Sequence, residues 1–74
     1  MTTDRPRKRS LTLQGHATSV SLEDAFWQEF TRLAAGRGAS VNTLASELDQ
    51  TRTPPNSLAS AIRLFVLAEV KAGR

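Results

Sequence analysis

The chain has 74 residues, a formal net charge of +3 and no cysteine. This length predicts a single domain with a small core, and the lack of cysteine rules out disulfides as a source of its stability. No apolar run approaches the ~18 residues that a membrane-spanning helix needs, and no apolar segment follows the basic N-terminus as in a secretory signal. The sequence therefore predicts a cytoplasmic protein without a membrane partner, stabilised by helix packing or by oligomerisation.

The whole excess of positive charge lies at the N-terminus. Residues 1–9 contain four basic side chains against one acidic side chain, whereas residues 10–74 contain six of each. Pro6 disfavours a helix there. We expect residues 1–9 to form a flexible basic arm that contacts phosphates, with a solvated tail as the alternative. The cations of this arm are Arg5, Arg7, Lys8 and Arg9.

Two short segments alternate apolar and polar residues, as half-buried strands do. Residues 17–22 form the clearer strand, and residues 10–14 form a second candidate before a turn at Gly15. Residues 10–14 could pair with the strand as a hairpin, or they could be an extended lead-in that lies on the body of the domain. We favour the lead-in, so the strand needs a partner from a second copy of the chain.

Helical periodicity follows the strand. A first helix is predicted over 23–36, with Ser21 as a candidate N-cap and an apolar face that includes Phe26 and Phe30. A second helix is predicted over 40–50, with Ser40 as its N-cap.

A third helix is predicted over 57–71, after a linker that contains Pro54 and Pro55. It is apolar around much of its circumference, and Arg63, Glu69 and Lys71 mark the face expected to point outward. So broad an apolar surface predicts a partner that covers it.

No set of side chains suggests catalysis or a cofactor. The chain has no acid and base pair at useful spacing, no nucleophile with a histidine, and no glycine-rich phosphate loop. His16 is the only histidine, so no metal site is expected. The sequence predicts a protein that is not an enzyme and needs no cofactor.

The segment Gly38-Ala39-Ser40-Val41-Asn42, which follows a short strand and a helix, resembles the Arc- and MetJ-like ribbon-helix-helix DNA-binding domains. A longer set of residues resembles one bacterial subfamily of these domains with an extra C-terminal helix. It includes Lys8-Arg9-Ser10, Gly15-His16, the stretch from Thr18 to Glu23, Phe26-Trp27 and Phe65-Val66-Leu67.

The resemblance implies a mainly α fold with one short strand per chain. Two chains would form an intertwined homodimer whose paired strands enter the major groove of double-stranded DNA. It implies base-facing positions at Ala17, Ser19 and Ser21. It implies phosphate contacts from Ser40, Val41 and Asn42, besides the basic arm. It implies a dimer core of Thr18, Val20, Leu22, Phe26, Phe30, Leu33, Val41, Leu44 and Leu48.

The implied base-facing residues are small and uncharged. Serine can contact several bases and therefore discriminates poorly among them, and alanine donates no hydrogen bond. Two functions follow from the sequence. The first is a DNA-binding transcriptional regulator. The alternative is an antitoxin-like or scaffolding interaction module whose third helix holds a protein partner.

Overall fold

The computed structural model describes residues 4–74; the first three residues of the predicted arm lie outside the described residues. The chain forms a two-stranded antiparallel sheet and three helices. In chain order these elements are β1 (Arg7–Leu13), β2 (His16–Leu22), α1 (Asp24–Gly36), α2 (Val41–Thr51) and α3 (Leu58–Lys71).

The two strands pair with each other in one chain, so the expectation that residues 10–14 are an unpaired lead-in is wrong. Arg7 lies opposite Leu22, and Leu13 lies opposite His16. The two-residue connection has positive φ at both positions, 52° at Gln14 and 81° at Gly15. This geometry matches the twist of a hairpin, so β1 satisfies the backbone groups of β2 without a second copy. The fold is therefore mixed α and β, and not mainly α with one strand per chain.

The prediction that residues 1–9 form a flexible arm is wrong for residues 7–9, which belong to β1. Ahead of the strand, Asp4 accepts hydrogen bonds from the backbone amides of Asp24 (3.0 Å) and Ala25 (3.3 Å). Asp4 thus caps α1 from a distant part of the chain. The positive end of the helix dipole also stabilises a carboxylate at this position. The predicted cap, Ser21, cannot do this because β2 continues to Leu22.

One chain encloses its own core between the inner face of the sheet and the three helices. Five of the nine residues predicted for a dimer core are buried here, and Phe26, Val41 and Leu48 pack partly against them. Thr18, also predicted for the dimer core, is exposed in the single chain, where it borders an open cleft of about 370 Å³ beneath the turn end of the hairpin. The buried apolar residues are Leu11, Val20, Leu22, Phe30, Leu33, Ala34, Leu44, Ala45, Ile62 and Val66.

Two of the three charged residues expected on the outer face of α3 turn towards the body, whereas Lys71 is exposed as expected. Glu69, expected on the outer face, is only 8% exposed and forms ion pairs with Arg37 and Arg74. Arg63 turns towards α1 and binds Glu23, with its Nε 2.9 Å from Glu23 Oε1. The charged residues were assigned outward from helical periodicity alone, but distant partners of opposite charge hold them against the body. The face left to solvent is apolar.

Candidate nucleic-acid interface

The hairpin has a polar face directed away from the core. Side chains alternate along each strand, and residues opposite each other across the hairpin lie on the same face. Val20 is buried and lies opposite Arg9, which fixes the inner face. The outer face consists of three exposed cross-strand pairs: Lys8 with Ser21, Ser10 with Ser19, and Thr12 with Ala17.

This outer face carries short side chains, apart from Lys8, and is rich in hydrogen-bonding groups. Its six side chains supply one ammonium group, four hydroxyls and one methyl group. Hydroxyls can donate to or accept from a base edge, and an alanine methyl can contact the thymine methyl. Short side chains also let the strand backbone approach a ligand closely. The arrangement suits a surface that lies against the floor of a groove.

The predicted base-facing residues, Ala17, Ser19 and Ser21, all lie on this face. Half of the face was missed, because Lys8, Ser10 and Thr12 come from the strand that was interpreted as an arm and a lead-in. The signal was present in the sequence: Ser10 and Thr12 alternate with Leu11 in the same way that Ser19 and Ser21 alternate with Val20.

The four cations of the predicted arm differ in their exposure to solvent. Lys8 and Arg5 are exposed, and the side chain of Arg7 is 70% exposed with its Nε 3.7 Å from Asp24 Oδ1. Arg9 instead lies on the inner face, with a side chain only 16% exposed. Strand alternation directs Arg9 towards the body and away from the outer face, where a phosphate contact was expected.

Arg9 holds the hairpin against α1. Its guanidinium donates to the backbone carbonyl of Leu22 (Nη2 to O, 3.0 Å), pairs with Asp24, and lies 5.5 Å from the ring centroid of Trp27. The hydrogen bond from Arg9 lowers the pKa of the Asp24 carboxyl below its ordinary value, with smaller contributions from the charges of Arg7 and Arg9.

Most other arginines are neutralised by carboxylates. Arg32, Arg37, Arg52, Arg63 and Arg74 each form an ion pair. Within residues 4–74, Arg5, Lys8 and Lys71 are the basic residues with no carboxylate within ion-pair distance. Two of these three lie at the start of β1. The positive potential of the described chain is therefore concentrated where the hairpin begins.

The N-terminus of α2 lies beside the other end of β1. Ser40 Oγ accepts a hydrogen bond from the Thr43 amide at 3.0 Å, as a helix cap does. Asn42 Oδ1 accepts a hydrogen bond from the Thr12 amide at 3.0 Å and so ties α2 to the edge of β1. The amides of Val41 and Asn42 have no acceptor inside the helix, because they belong to its first turn. The Val41 side chain packs against the core, so only its backbone amide is available to a ligand.

The cations at the start of β1 and the free amides at the N-terminus of α2 lie at opposite ends of the outer face. Lys8 and Thr12 are four residues apart on β1, about 13 Å at ~3.3 Å per residue. That span is close to the ~12 Å width of the major groove of B-DNA. Cations lie at one end of the face and the amides of the α2 N-terminus at the other, and both are groups that bind phosphate.

Two kinds of feature were sought in the described chain, a metal site and a membrane-spanning helix. Among residues 4–74, no group of three or more histidine, cysteine, aspartate or glutamate side chains is placed to hold a metal ion. In the same range no helix has both the length and the apolar character needed to cross a membrane.

A two-stranded antiparallel ribbon backed by helices, with a polar outer face, defines the class of β-ribbon DNA-binding domains. The family model of the ribbon-helix-helix domain matches residues 6–70, and the chain belongs to this family. The family generally binds DNA, generally dimerises and is not enzymatic. No curated protein and no solved structure matches the chain.

Proposed function

We propose that the protein is a transcriptional regulator that places the outer face of the β1–β2 hairpin in the major groove of DNA. The observation that carries the proposal is the polar outer face flanked by phosphate-binding groups at both ends, in a chain whose family generally binds DNA. In this proposal the ribbon is complete within one chain, whereas the sequence predicted a ribbon built by two chains.

Phosphate contacts supply most of the affinity. Arg5 and Lys8, which have no carboxylate within ion-pair distance, neutralise phosphates on one side of the groove, and the first turn of α2 donates its free amides on the other side. Each cation that binds a phosphate releases counterions from the DNA, and this release is less favourable at high salt, so such binding is strongly salt-dependent. The other five side chains of the outer face carry no charge, so Lys8 is its one contribution to this salt dependence.

Base contacts are weakly selective. Ser10 and Ser19 lie opposite each other at the centre of the face, and each hydroxyl can donate or accept. Such groups accept several base pairs at a given position. The regulator therefore binds many sequences with similar affinity, and sequence-dependent DNA shape adds to its preference.

A second candidate function is an antitoxin-like or scaffolding interaction module. The observation that favours it is the apolar outer side of α3, where Leu64 is 59% exposed and Leu67 is 51% exposed. In that case a different protein covers α3, and the hairpin serves only the fold.

The two candidates differ in what a charge on the outer face does to DNA binding. Ser19→Glu places a carboxylate at the centre of the face, and Gln28→Glu places the same charge at an exposed position on α1. Fluorescence anisotropy with random-sequence duplex measures both variants. We expect Ser19→Glu to weaken binding about tenfold or more, since about 1.4 kcal/mol of repulsion is enough for that change. Gln28→Glu should bind like the parent protein. Equal affinities for the two variants, or no binding by the parent at low salt, would contradict the proposed function.

A further inference from the structure

The C-terminal ends of α1 and α3 border another open cleft, at residues that the proposed DNA contacts do not use. Its volume is about 400 Å³, which is within the range of small-molecule sites. It is lined by Arg32, Leu33, Gly36, Arg37, Glu69 and Arg74. We call this space the arginine cleft.

Glu69 orients two of the three arginines of the cleft. One of its carboxylate oxygens accepts a hydrogen bond from Arg37, and the other accepts one from Arg74 at 3.1 Å. The Arg37 guanidinium also lies 4.9 Å from the ring centroid of Phe65. These contacts hold both guanidinium groups at the cleft before a ligand arrives, so binding costs little side-chain entropy.

Arg32 contributes the third guanidinium group, from α1. Its Nε and Nη2 donate to Glu29 Oε1 at 3.0 Å and 2.7 Å, and Nη2 also donates to the backbone carbonyl of Arg74 at 2.9 Å. The three cations at the cleft are therefore held in place by contacts within the chain.

The ion pairs at the cleft do not use up the donors of these arginines. Arg37 and Arg74 share one carboxylate, and each donates one side-chain hydrogen bond within residues 4–74. A guanidinium presents several N–H donors as a planar fork that matches the oxygens of a carboxylate. Both side chains also reach solvent, with 44% and 67% of their surface exposed. Free donors of this kind beside a cleft favour a ligand with an anionic oxygen group.

The floor of the cleft is apolar. Leu33 is 5% exposed, and Gly36 has no side chain that would occupy the space above it. We propose that the arginine cleft binds a small aromatic carboxylate, with its carboxylate at Arg37 and Arg74 and its ring over Leu33 and Gly36. Guanidinium groups stack on aromatic rings, so the same arginines favour a ring over an aliphatic chain.

Sodium benzoate tests the site, because it carries one carboxylate on one aromatic ring. Amide spectra of the ¹⁵N-labelled protein are recorded during the titration without DNA, and sodium chloride keeps the ionic strength constant. We expect saturable shifts centred on residues 33–37 and on Glu69, with a Kd of about 1–10 mM for so small a ligand. Shifts that do not saturate, or that are centred elsewhere, would overturn the proposal.

Two control ligands separate the ring from the charge. Benzamide keeps the ring and has no negative charge, and inorganic phosphate keeps anionic oxygens and has no ring. Each should bind at least about fivefold more weakly than benzoate, since each lacks one of the two kinds of contact. If phosphate binds as tightly as benzoate, the apolar floor has no role, and if benzamide does, the arginines have none. Either result contradicts the proposed ligand class.

Gly36→Leu fills the cleft and should leave the fold intact. A side-chain carbon added at Gly36 would meet no neighbouring atom within 4 Å, and the backbone there is not left-handed. Ala35→Leu adds the same side chain at an exposed position outside the cleft. We expect Gly36→Leu to weaken benzoate binding about tenfold or more and Ala35→Leu to bind like the parent protein. Equal affinities of the two variants would place the ligand elsewhere and refute the site.

A second pair of variants tests the arginines. Arg74→Gln removes a guanidinium from the cleft, and Lys71→Gln removes the same charge from an exposed position outside it. Arg74→Gln should weaken benzoate binding about two- to fivefold, because water screens an exposed charge pair, and Lys71→Gln should not change it. Parent-like affinity of Arg74→Gln would show that this arginine does not bind the ligand. Since no experiment here contains DNA, a failure is distinguishable from a failure of the proposed DNA-binding function.

Discussion

Lys8 and Arg9 are adjacent in the sequence and have opposite roles in the structure. Lys8 is on the outer face with no carboxylate partner among the described residues, whereas Arg9 is on the inner face and bound to Leu22 and Asp24. Replacing each with glutamine removes one positive charge at neighbouring positions. We expect Lys8→Gln to change DNA binding and Arg9→Gln to change stability.

The size of both effects can be worked out. Each neutralised phosphate contributes about 0.9 to the slope of log affinity against log salt, so Arg5 and Lys8 together give about 1.8 per chain. Lys8→Gln should reduce this slope by about 0.9 per chain. Arg9→Gln loses the hydrogen bond to the Leu22 carbonyl, worth about 1 kcal/mol, which corresponds to a Tm about 4–8 °C lower for a domain of this size.

Two assays separate the variants. Anisotropy titrations of a random duplex at a series of salt concentrations give the slope, and thermal melting followed by circular dichroism gives Tm. The assignment of the two faces is refuted if Arg9→Gln flattens the salt slope as much as Lys8→Gln does. It is also refuted if Lys8→Gln lowers Tm more than Arg9→Gln does.

Three further predictions concern the fold and its contacts. Val20→Asp should unfold the domain, because it buries a carboxylate at a cost of several kcal/mol, and the neighbouring Arg9 is already paired with Asp24. Ser19→Asp should be as stable as the parent protein. Urea denaturation measures the stability of both variants. The hydrogen bond from Arg37 lowers the pKa of Glu69 below its ordinary 4.5, so the ion pair stabilises the fold above pH 4.5 and this stability is lost as the pH falls towards the lowered pKa. The Glu69→Gln variant should therefore have a lower free energy of unfolding at neutral pH, and this free energy should depend less on pH below 4.5. A dependence of stability on pH that equals the parent's would contradict the ion pair. Asn42→Ala should speed amide hydrogen exchange near the edge of β1 without a large change in Tm, since it removes the acceptor for one exposed amide.

The helices were predictable from the sequence because their signals are local. The first helix was expected over 23–36 and spans Asp24–Gly36. Ser40 carries the cap of the second helix that its residue type suggests. Apolar periodicity and capping residues act within a few positions of the chain, so they are visible without any knowledge of tertiary structure.

The hairpin was the less favoured of two alternatives for residues 10–14, and its turn lacks the residues that would have argued for it. Two-residue turns with positive φ favour Asn-Gly or Asp-Gly, and here the pair is Gln14-Gly15. The pairing of residues 7–13 with β2 therefore had only the alternation of Leu11 and Leu13 to indicate it. That single error assigned Arg9 to a flexible arm and left half of the outer face unrecognised.

The face of α3 could not be predicted for a different reason. Helical periodicity assigns charged residues to the solvent-exposed face. Arg63 and Glu69 would lie there only if no residue of opposite charge faced them from the body of the domain. Their partners, Glu23 and Arg37, lie on distant parts of the chain. Such pairs appear only once the helices are placed in space.

The central claim is that DNA contacts the outer face of the hairpin, and one NMR titration tests it most directly. Backbone amide spectra of the ¹⁵N-labelled protein, recorded while a short random duplex is added, show which residues contact DNA. We expect the largest shifts at Lys8, Ser10, Thr12, Ser19 and at the first turn of α2, with little change along α3. Shifts confined to α3, or none at the hairpin under low-salt conditions, would contradict the claim.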